Sequence, residues 1–234
     1  MIILAIDSTA ASGSVALCRD EELLCEFTLN AGITHSETLL PMVESALKVC
    51  SLNVNDVDIF ACDEGPGSFT GVRIGISTVK GLAFGKDIPC AGVSTLHALA
   101  YNLRGVNGIV CPVMNARRSQ VYNALFSCKD GVLTRLCPDR AISIAELDEE
   151  LAGMEGPIYL CGDGYDITVD GFAKTTVVPV PPEQRYQSAY SVALCGFDAY
   201  NSGNYTDDVT LAPVYLRPSQ AERERNERLA KENQ

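Results

Sequence analysis

The apolar positions of this chain alternate between two rhythms. Residues 2–7, IILAID, form a continuous apolar run closed by an acid, which reads as a buried strand. SGSVALCRD and LLCEFTLN follow as two more strands, joined by a polar hairpin turn at Arg19, Asp20, Glu21 and Glu22. The rhythm then changes. In THSETLLPMVESALKVC, Leu39, Leu40, Val43, Ala46, Leu47 and Cys50 recur at helical spacing and predict an amphipathic helix over 36–50. Ser36 or Thr38 can cap it; Pro41 fits the first turn only with the later cap and otherwise predicts a kink. DIFACDEG is a short strand running into GPGSFTGVRIG. From there a second helix spans about 71–84, capped by Thr70 or Ser68 and ended near Gly85. IPCAGVS is a strand, and STLHALAYNL opens a third helix.

From residue 104 the order partly repeats. GIVCPVMN, SQVYNALFSC and GVLTRLCP read as three strands, with Lys129, Asp130 and Gly131 as a hairpin turn. SIAELDEELAG is a short helix, PIYLCGDG a strand, TTVVPV another strand, and YQSAYSVALCGFDAYNSG a helix. VYLRPSQAERERNERLAKENQ brings a turn at Pro218 and a charged helix, solvated and laid over the body. Element order repeats here, and sequence does not. The expectation is a domain over 1–103, a second over 104–210, and a turn and helix over 211–234 that pack back. A meander followed by alternating helices and strands, used twice, makes a duplicated α/β architecture with a cleft between its halves. That is the two-domain plan of the actin, hexokinase and heat-shock ATPase group (ASKHA, ribonuclease H-like).

Composition narrows the function classes. The chain has 234 residues, 47% of them hydrophobic and 21% charged, as in an ordinary globular protein. No apolar run approaches the roughly 20 residues of a spanning helix, and MIILAID lacks the basic flank of a signal peptide. The expected compartment is the cytoplasm. A net charge of −12 argues against a free-standing nucleic-acid binder, which needs a basic face for phosphate. The ten cysteines are scattered without a CxxC pair and read as reduced core thiols. The two histidines, His35 and His97, are too far apart for a helical zinc motif. No metal site is expected.

Three stretches carry candidate chemistry. IDSTAASGSVAL places an acid and a polar turn between two strands. In the ATPase group such a turn holds phosphate on backbone N–H groups and its Asp helps order a metal. Asp7, Ser8, Thr9, Ser12 and Gly13 are candidates for that work, although a plain hairpin has the same composition. The matching turn, MNARRSQVY, has Asn115 where active members carry Asp, and Ala116, Arg117 and Arg118 where they carry glycines. Such a turn approaches phosphate poorly. LCGDGYD puts Gly162 and Gly164 where the group places a glycine turn under adenine; ordinary strand ends also look like this. These positions together read as a vestigial nucleotide site with no catalytic residue.

GPGSFTG itself fails both standard phosphate-loop patterns. No Lys-Ser or Lys-Thr follows, and Thr70 stands where GxGxxG needs its last glycine. The helix it launches has small residues at Gly71, Gly75, Ser77 and Gly81 and an apolar stripe at Val72, Ile76, Val79 and Ala83. The stripe either covers its own sheet or, with the helix at 36–50, offers a face to a partner. The candidate interface residues are Leu39, Leu40, Val43 and Leu47 on the first helix, with Val72, Gly75, Ile76, Ser77 and Val79 on the second.

LAIDST, SGSVAL, HSETLLP, GPGSFTGVRIGISTVKGLAFG, GVSTLHALA, ARRSQVY, LCGDG and VYLRPS together resemble the TsaB (YeaZ) family over nearly the whole chain. The resemblance implies the two-domain actin-like fold. It also implies a non-catalytic subunit of the bacterial system that makes N6-threonylcarbamoyladenosine beside the anticodon of certain tRNAs. The implied partners are a TsaD-like paralogue, which carries the metal, nucleotide and transferase site, and a TsaE-like ATPase. Transfer RNA would be reached indirectly through the complex, and the isolated chain would be a homodimer. No cofactor is expected to bind tightly; ATP or ADP would bind only weakly or at the partner interface. Family members usually show Asp-Ala-Arg where this chain has Asn115, Ala116 and Arg117, a departure that fits a pseudo-enzyme. The competing expectation is an actin-like ATPase or small-molecule kinase using Asp7 and the cleft. A protease would need a metal site or an activated nucleophile, and the sequence offers neither.

Overall fold

The computed structural model describes residues 1–217 and residue 228. The first three strands, β1 (Ile2–Asp7), β2 (Gly13–Arg19) and β3 (Glu22–Leu29), form the expected meander. β4 (Ile59–Gly65) and β5 (Cys90–Ser94) extend the sheet in parallel on the other side, giving the order β3-β2-β1-β4-β5. β1 is buried on both faces, as its unbroken apolar run requires. Leu4 and Ile6 pack under α1 (His35–Val49) and α2 (Phe69–Ala83), with Phe60 and Val72 in the same core. Ile3 and Ala5 face the other way, against Ala189, Val192 and Ala193 of α6 (Ala189–Asn201).

The second sheet contains β6 (Gly108–Asn115), β7 (Gln120–Asn123), β8 (Phe126–Lys129), β9 (Val132–Arg135) and β10 (Arg140–Ser143), with β11 (Ile158–Cys161) parallel to β6. SQVYNALFSC, expected as one strand, is interrupted: β7 and β8 both pair antiparallel with β6, and the ladder skips Ala124 and Leu125. Pro112 of β6 lies opposite the gap and has no N–H for a ladder bond. Asn123 bridges the break, donating from Nδ2 to the carbonyls of Pro112 (3.1 Å) and Ala124 (2.9 Å). β10 pairs with β7 and β9 with β8, so each outer pair reads as one broken strand and the meander is repeated. β10 was not foreseen, nor was the short helix α5 (Tyr165–Gly171). The strand expected at TTVVPV is reduced to a single bridge from Val178 to Tyr159. SIAELDEELAG forms α4 (Ile144–Ala152), started by a capping box between Ser143 and Glu146.

The halves are locked by exchanged helices. Leu96 and Leu99 of α3 (Thr95–Tyr101) belong to the second sheet's core, whereas α6, late in the chain, covers the first sheet. Residues 211–217 then cross the molecule as a strap. Leu211 is buried, Val214 donates its N–H to the Glu64 carbonyl (2.7 Å), and Arg217 Nη1 reaches the Ala116 carbonyl (3.3 Å). The expected turn at Pro218 and the charged helix after it lie outside the described residues.

Two start signals resolve. α1 begins at an N-cap Thr34, not Ser36 or Thr38, so Pro41 lies inside the helix; Thr34 Oγ1 donates to Glu37 Oε1 (2.7 Å). α2 is capped by Ser68, whose Oγ accepts the Gly71 N–H at 3.3 Å. Glycines on α2 and its lead-in answer a steric demand. A Cβ at Gly67 would meet Thr9 at 2.7 Å, at Gly71 the Ser8 carbonyl oxygen at 2.0 Å, and at Gly75 Ser8 Oγ at 2.5 Å. The β1–β2 turn therefore lies directly against the helix, fixed by Ser68 N–H to the Thr9 carbonyl (2.7 Å) and Ser8 Oγ to the Gly71 carbonyl (2.8 Å). Gly81, six residues beyond Gly75, has open space around its Cβ position.

That contrast is testable by chemical denaturation. Gly71→Ala is expected to cost about 1–3 kcal/mol, because the obstacle is backbone. Gly81→Ala is expected to gain roughly 0.5–1 kcal/mol, the ordinary helical advantage of alanine over glycine. Equal effects at the two positions would contradict the steric reading.

Candidate functional site

Two concavities meet at the start of α2. The first is a cleft of about 630 Å³ between the halves. Its walls are the β1–β2 turn at Thr9, the loop before α2, the β6–β7 turn at Asn115 to Arg117, Asp163, and the strap at Tyr215 and Arg217. The second is an open groove of about 800 Å³ between the outer faces of α1 and α2. Phe69 and Thr70 line both. At that divide Phe69 stacks on Tyr215 with centroids 4.8 Å apart, and the Arg73 guanidinium lies 4.0 Å from the Phe69 ring centre while its Nε donates to Tyr215 Oη at 2.7 Å.

Beneath the cleft lies a carboxyl pair that the sequence reading only half identified. Ile6 and Cys62 are in register on parallel strands, so the next residues, Asp7 and Asp63, stand side by side. They are 1% and 2% exposed. Asp7 Oδ1 accepts the Thr9 N–H (2.8 Å) and Thr9 Oγ1–H (2.9 Å). Burial pushes the Asp63 carboxyl well above the usual carboxylate range, and the charge of Asp7 adds to the effect. Burial raises Asp7 as well, opposed by hydrogen bonds from Asp63 and Thr9. Of the two, Asp63 is pushed further above the usual carboxylate range and so holds its proton the more tightly. Asp163 stands at the cleft surface with water on one side, and desolvation by the surrounding walls pushes it up to about 6.

The other candidate nucleotide residues are occupied by packing. Ser8 is bonded to α2 as described. A Cβ at Gly13 would meet His35 Nδ1 at 2.9 Å; the glycine makes room for that ring, whose Nε2 lies 2.8 Å from the Ala10 carbonyl. Gly162 and Gly164 press against β6: a Cβ would meet the Val113 carbonyl oxygen at 2.1 Å at the former and at 3.1 Å at the latter. Asn115 is exposed in the cleft and its Oδ1 accepts the Arg117 N–H at 2.8 Å. Arg117, Arg118 and Ser119 follow with φ of 63°, 55° and 55°, three successive left-handed residues without a glycine. This turn presents side chains to the cleft where a phosphate-binding turn presents backbone. Among the described residues, no group of three or more His, Cys, Asp or Glu could hold a metal ion, and no helix is long and apolar enough to cross a membrane.

The structure corrects the interface expectation at most positions. Leu39, Val43, Val72, Ile76 and Val79 are at most 4% exposed beneath their own helices, and Gly75 faces Ser8. The stripe is core, since the sheet needs that cover. Leu40 is 54% exposed, Ser77 is exposed and Leu47 half-buried. The outward groove is instead built from Leu40, Ile74, Ser77, Thr78, Gly81 and Leu82. Asp63, Asp163, Tyr215 and Arg217 were missed. Asp63 did carry a signal, because it shares strand parity with Ile59 and Ala61, which are buried.

A family model described as TsaD, tRNA N6-adenosine threonylcarbamoyltransferase, matches residues 29–177. The chain is similar to the tRNA threonylcarbamoyladenosine biosynthesis protein TsaB of Bacillus subtilis, 37% identical over 162 residues, 69% of this chain and 71% of that one. The Escherichia coli protein of the same name is 31% identical over 220 residues, 93% of this chain and 95% of its own. Among solved structures, YeaZ from Pseudomonas aeruginosa superposes with a TM-score of 0.77 at 26% identity, covering 92% of this chain and 99% of that one.

The buried pair makes stability depend on pH in a definite direction. A carboxyl whose folded pKa is raised binds its proton more tightly in the fold; its favourable contribution is complete below the unfolded value, near 3.8, and is lost as pH rises through the folded value. Asp63→Asn keeps a donor towards Asp7 and removes the titration. The variant should match the parent near pH 4 and become increasingly the more stable as pH rises, by at most about 1.4 kcal/mol per pH unit. Thermal melts of both proteins across pH 4–9 measure this. An advantage that stays constant, or is largest in acid, would show that Asp63 is ionised in the fold.

Proposed function

Because the chain belongs to the TsaB family of tRNA threonylcarbamoyladenosine biosynthesis proteins, we propose that it works in that pathway as a non-catalytic subunit. It docks a TsaD-like threonylcarbamoyltransferase that modifies adenosine beside the tRNA anticodon. The carrying observation is the groove between α1 and α2, where Leu40, Ile74 and Leu82 surround the small residues Ser77 and Gly81 on a face that the chain's own core leaves open. Small residues between apolar ones admit another helix closely. The TsaD family model covers both helices, so a paralogue of that family carries corresponding ones, and two pairs make a four-helix contact. In the partner's absence a second copy of this chain takes the same face around a two-fold axis. A TsaE-like ATPase joins the complex, and tRNA is engaged through the assembly, consistent with the −12 charge.

The reading assigns no chemistry to the chain alone. Asn115 and its glycine-free turn, together with glycines already committed to packing, support a cleft that holds ATP or ADP only weakly or at the partner interface.

The exposed position is the one to perturb. Ser77→Arg places a long charged side chain in the groove without touching the core, whereas Gly75→Arg would collide with Ser8 and damage the fold. Ser77→Arg is expected to keep the circular dichroism spectrum, to elute as a monomer by light scattering, and to lose capture of the organism's TsaD-like protein. A folded variant that captures the partner with unchanged affinity would place the interface elsewhere. Robust magnesium-dependent ATP hydrolysis by the isolated chain, abolished by Asp7→Ala, would favour the kinase or ATPase reading.

A further inference from the structure

All ten cysteines are free thiols, seven of them buried. Cys25, Cys50 and Cys137 are only half-buried, and the first two meet. Cys50 Sγ donates to Cys25 Sγ at 3.4 Å, the one thiol–thiol hydrogen bond among the described residues. Both partners have backbone reasons to be there. Cys25 lies on β3, the edge strand of the first sheet, beside a bulge where the β2 register steps from Leu17 opposite Cys25 to Cys18 opposite Leu23. A bulge re-aims the side chains next to it. Cys25 points under the last turn of α1, with its Sγ 3.9 Å from the Ala46 carbonyl. Cys50 is the C-cap of that helix, and Ser51 turns left-handed immediately after it (φ 55°). One sulfur thus sits on a sheet edge and the other on a helix end.

We propose that Cys25 and Cys50 form a dithiol site that a low-molecular-weight disulfide oxidises reversibly to an intrachain disulfide. Bonded sulfurs lie about 2.05 Å apart, so side-chain rotation at the helix end has only a short gap to close. Burial and the neighbouring Cys50 push the Cys25 thiol up to about 11, which makes Cys25 the poor first nucleophile. The Cys50 thiolate therefore attacks one sulfur of the small disulfide and expels one small thiol. The Cys25 sulfur then attacks Cys50 and expels the second. Two protein thiols lose two electrons and two protons, and one small disulfide is reduced to two thiols. The link closes a loop holding all of α1 and ties the helix's C-terminal end to the sheet edge. It forms whether or not the α1–α2 groove receives a partner.

The test uses the full chain and oxidised glutathione. After exposure, the remaining thiols are alkylated and the protein is digested without reductant for mass spectrometry. The expected result is one peptide pair linked through residues 25 and 50, absent after dithiothreitol, with the other eight cysteines alkylated on denaturation. Cys25→Ser should stop at a glutathione adduct on Cys50, and Cys50→Ser should give neither adduct nor cross-link at Cys25. The parent's peptide map stands even if a variant fails to fold. Full alkylation of both residues after exposure, stable glutathione adducts without the link, or links between chains would overturn the proposal.

Discussion

The structure depends on one close contact: the β1–β2 turn pressed against the start of α2. Helix and turn meet at backbone distance because Gly67, Gly71 and Gly75 present no side chain to Ser8 and Thr9. The contact uses up the groups a phosphate would want. The Ser68 N–H goes to the Thr9 carbonyl, the Gly71 N–H to Ser68 Oγ, and Ser8 Oγ to the Gly71 carbonyl. A glycine-rich loop that looks made for an anion is thus closed on its own protein. With the glycine side of α2 turned inward, Arg73, Ile74, Ser77 and Gly81 have to face outward beside α1.

The weak nucleotide cleft proposed above is walled by groups already committed to other contacts. The acid at the end of β1 is present, but it is buried beside a second carboxyl, Asp63, and its Oδ1 is taken up by Thr9. Opposite it, a strained turn of non-glycine residues shows side chains to the cleft, and the strap through Tyr215 and Arg217 lines the remaining wall. The Phe69, Tyr215 and Arg73 stack stands between this cleft and the helix groove, so the two concavities share one wall.

Much of the fold was legible because burial is periodic. The two-sided run in β1, the meander and both long helices follow from apolar spacing alone. The interruption between β7 and β8 was not, since it depends on Pro112 facing it from another strand. The site was read less well. Helical periodicity finds the buried face of α1 and α2, so it selected Val43 and Val72; on the open face it included Leu40 and Ser77 but passed over Ile74 and Leu82. Glycine spacing has the same ambiguity: Gly71 and Gly81 look alike in sequence, yet one meets a carbonyl at 2.0 Å and the other meets nothing. Pairing of Asp7 with Asp63 needed the register of parallel strands.

Whether the outer face of α2 is where the partner sits can be asked directly by photo-cross-linking. A benzophenone side chain at position 77 lies in the helix groove, and one at position 118 lies on the exposed turn of the second half. Irradiated with the organism's TsaD-like protein, the chain labelled at 77 should form a heterodimeric adduct mapping to the partner's corresponding helices, and the chain labelled at 118 should not. Adducts from 118 with none from 77 would contradict the account.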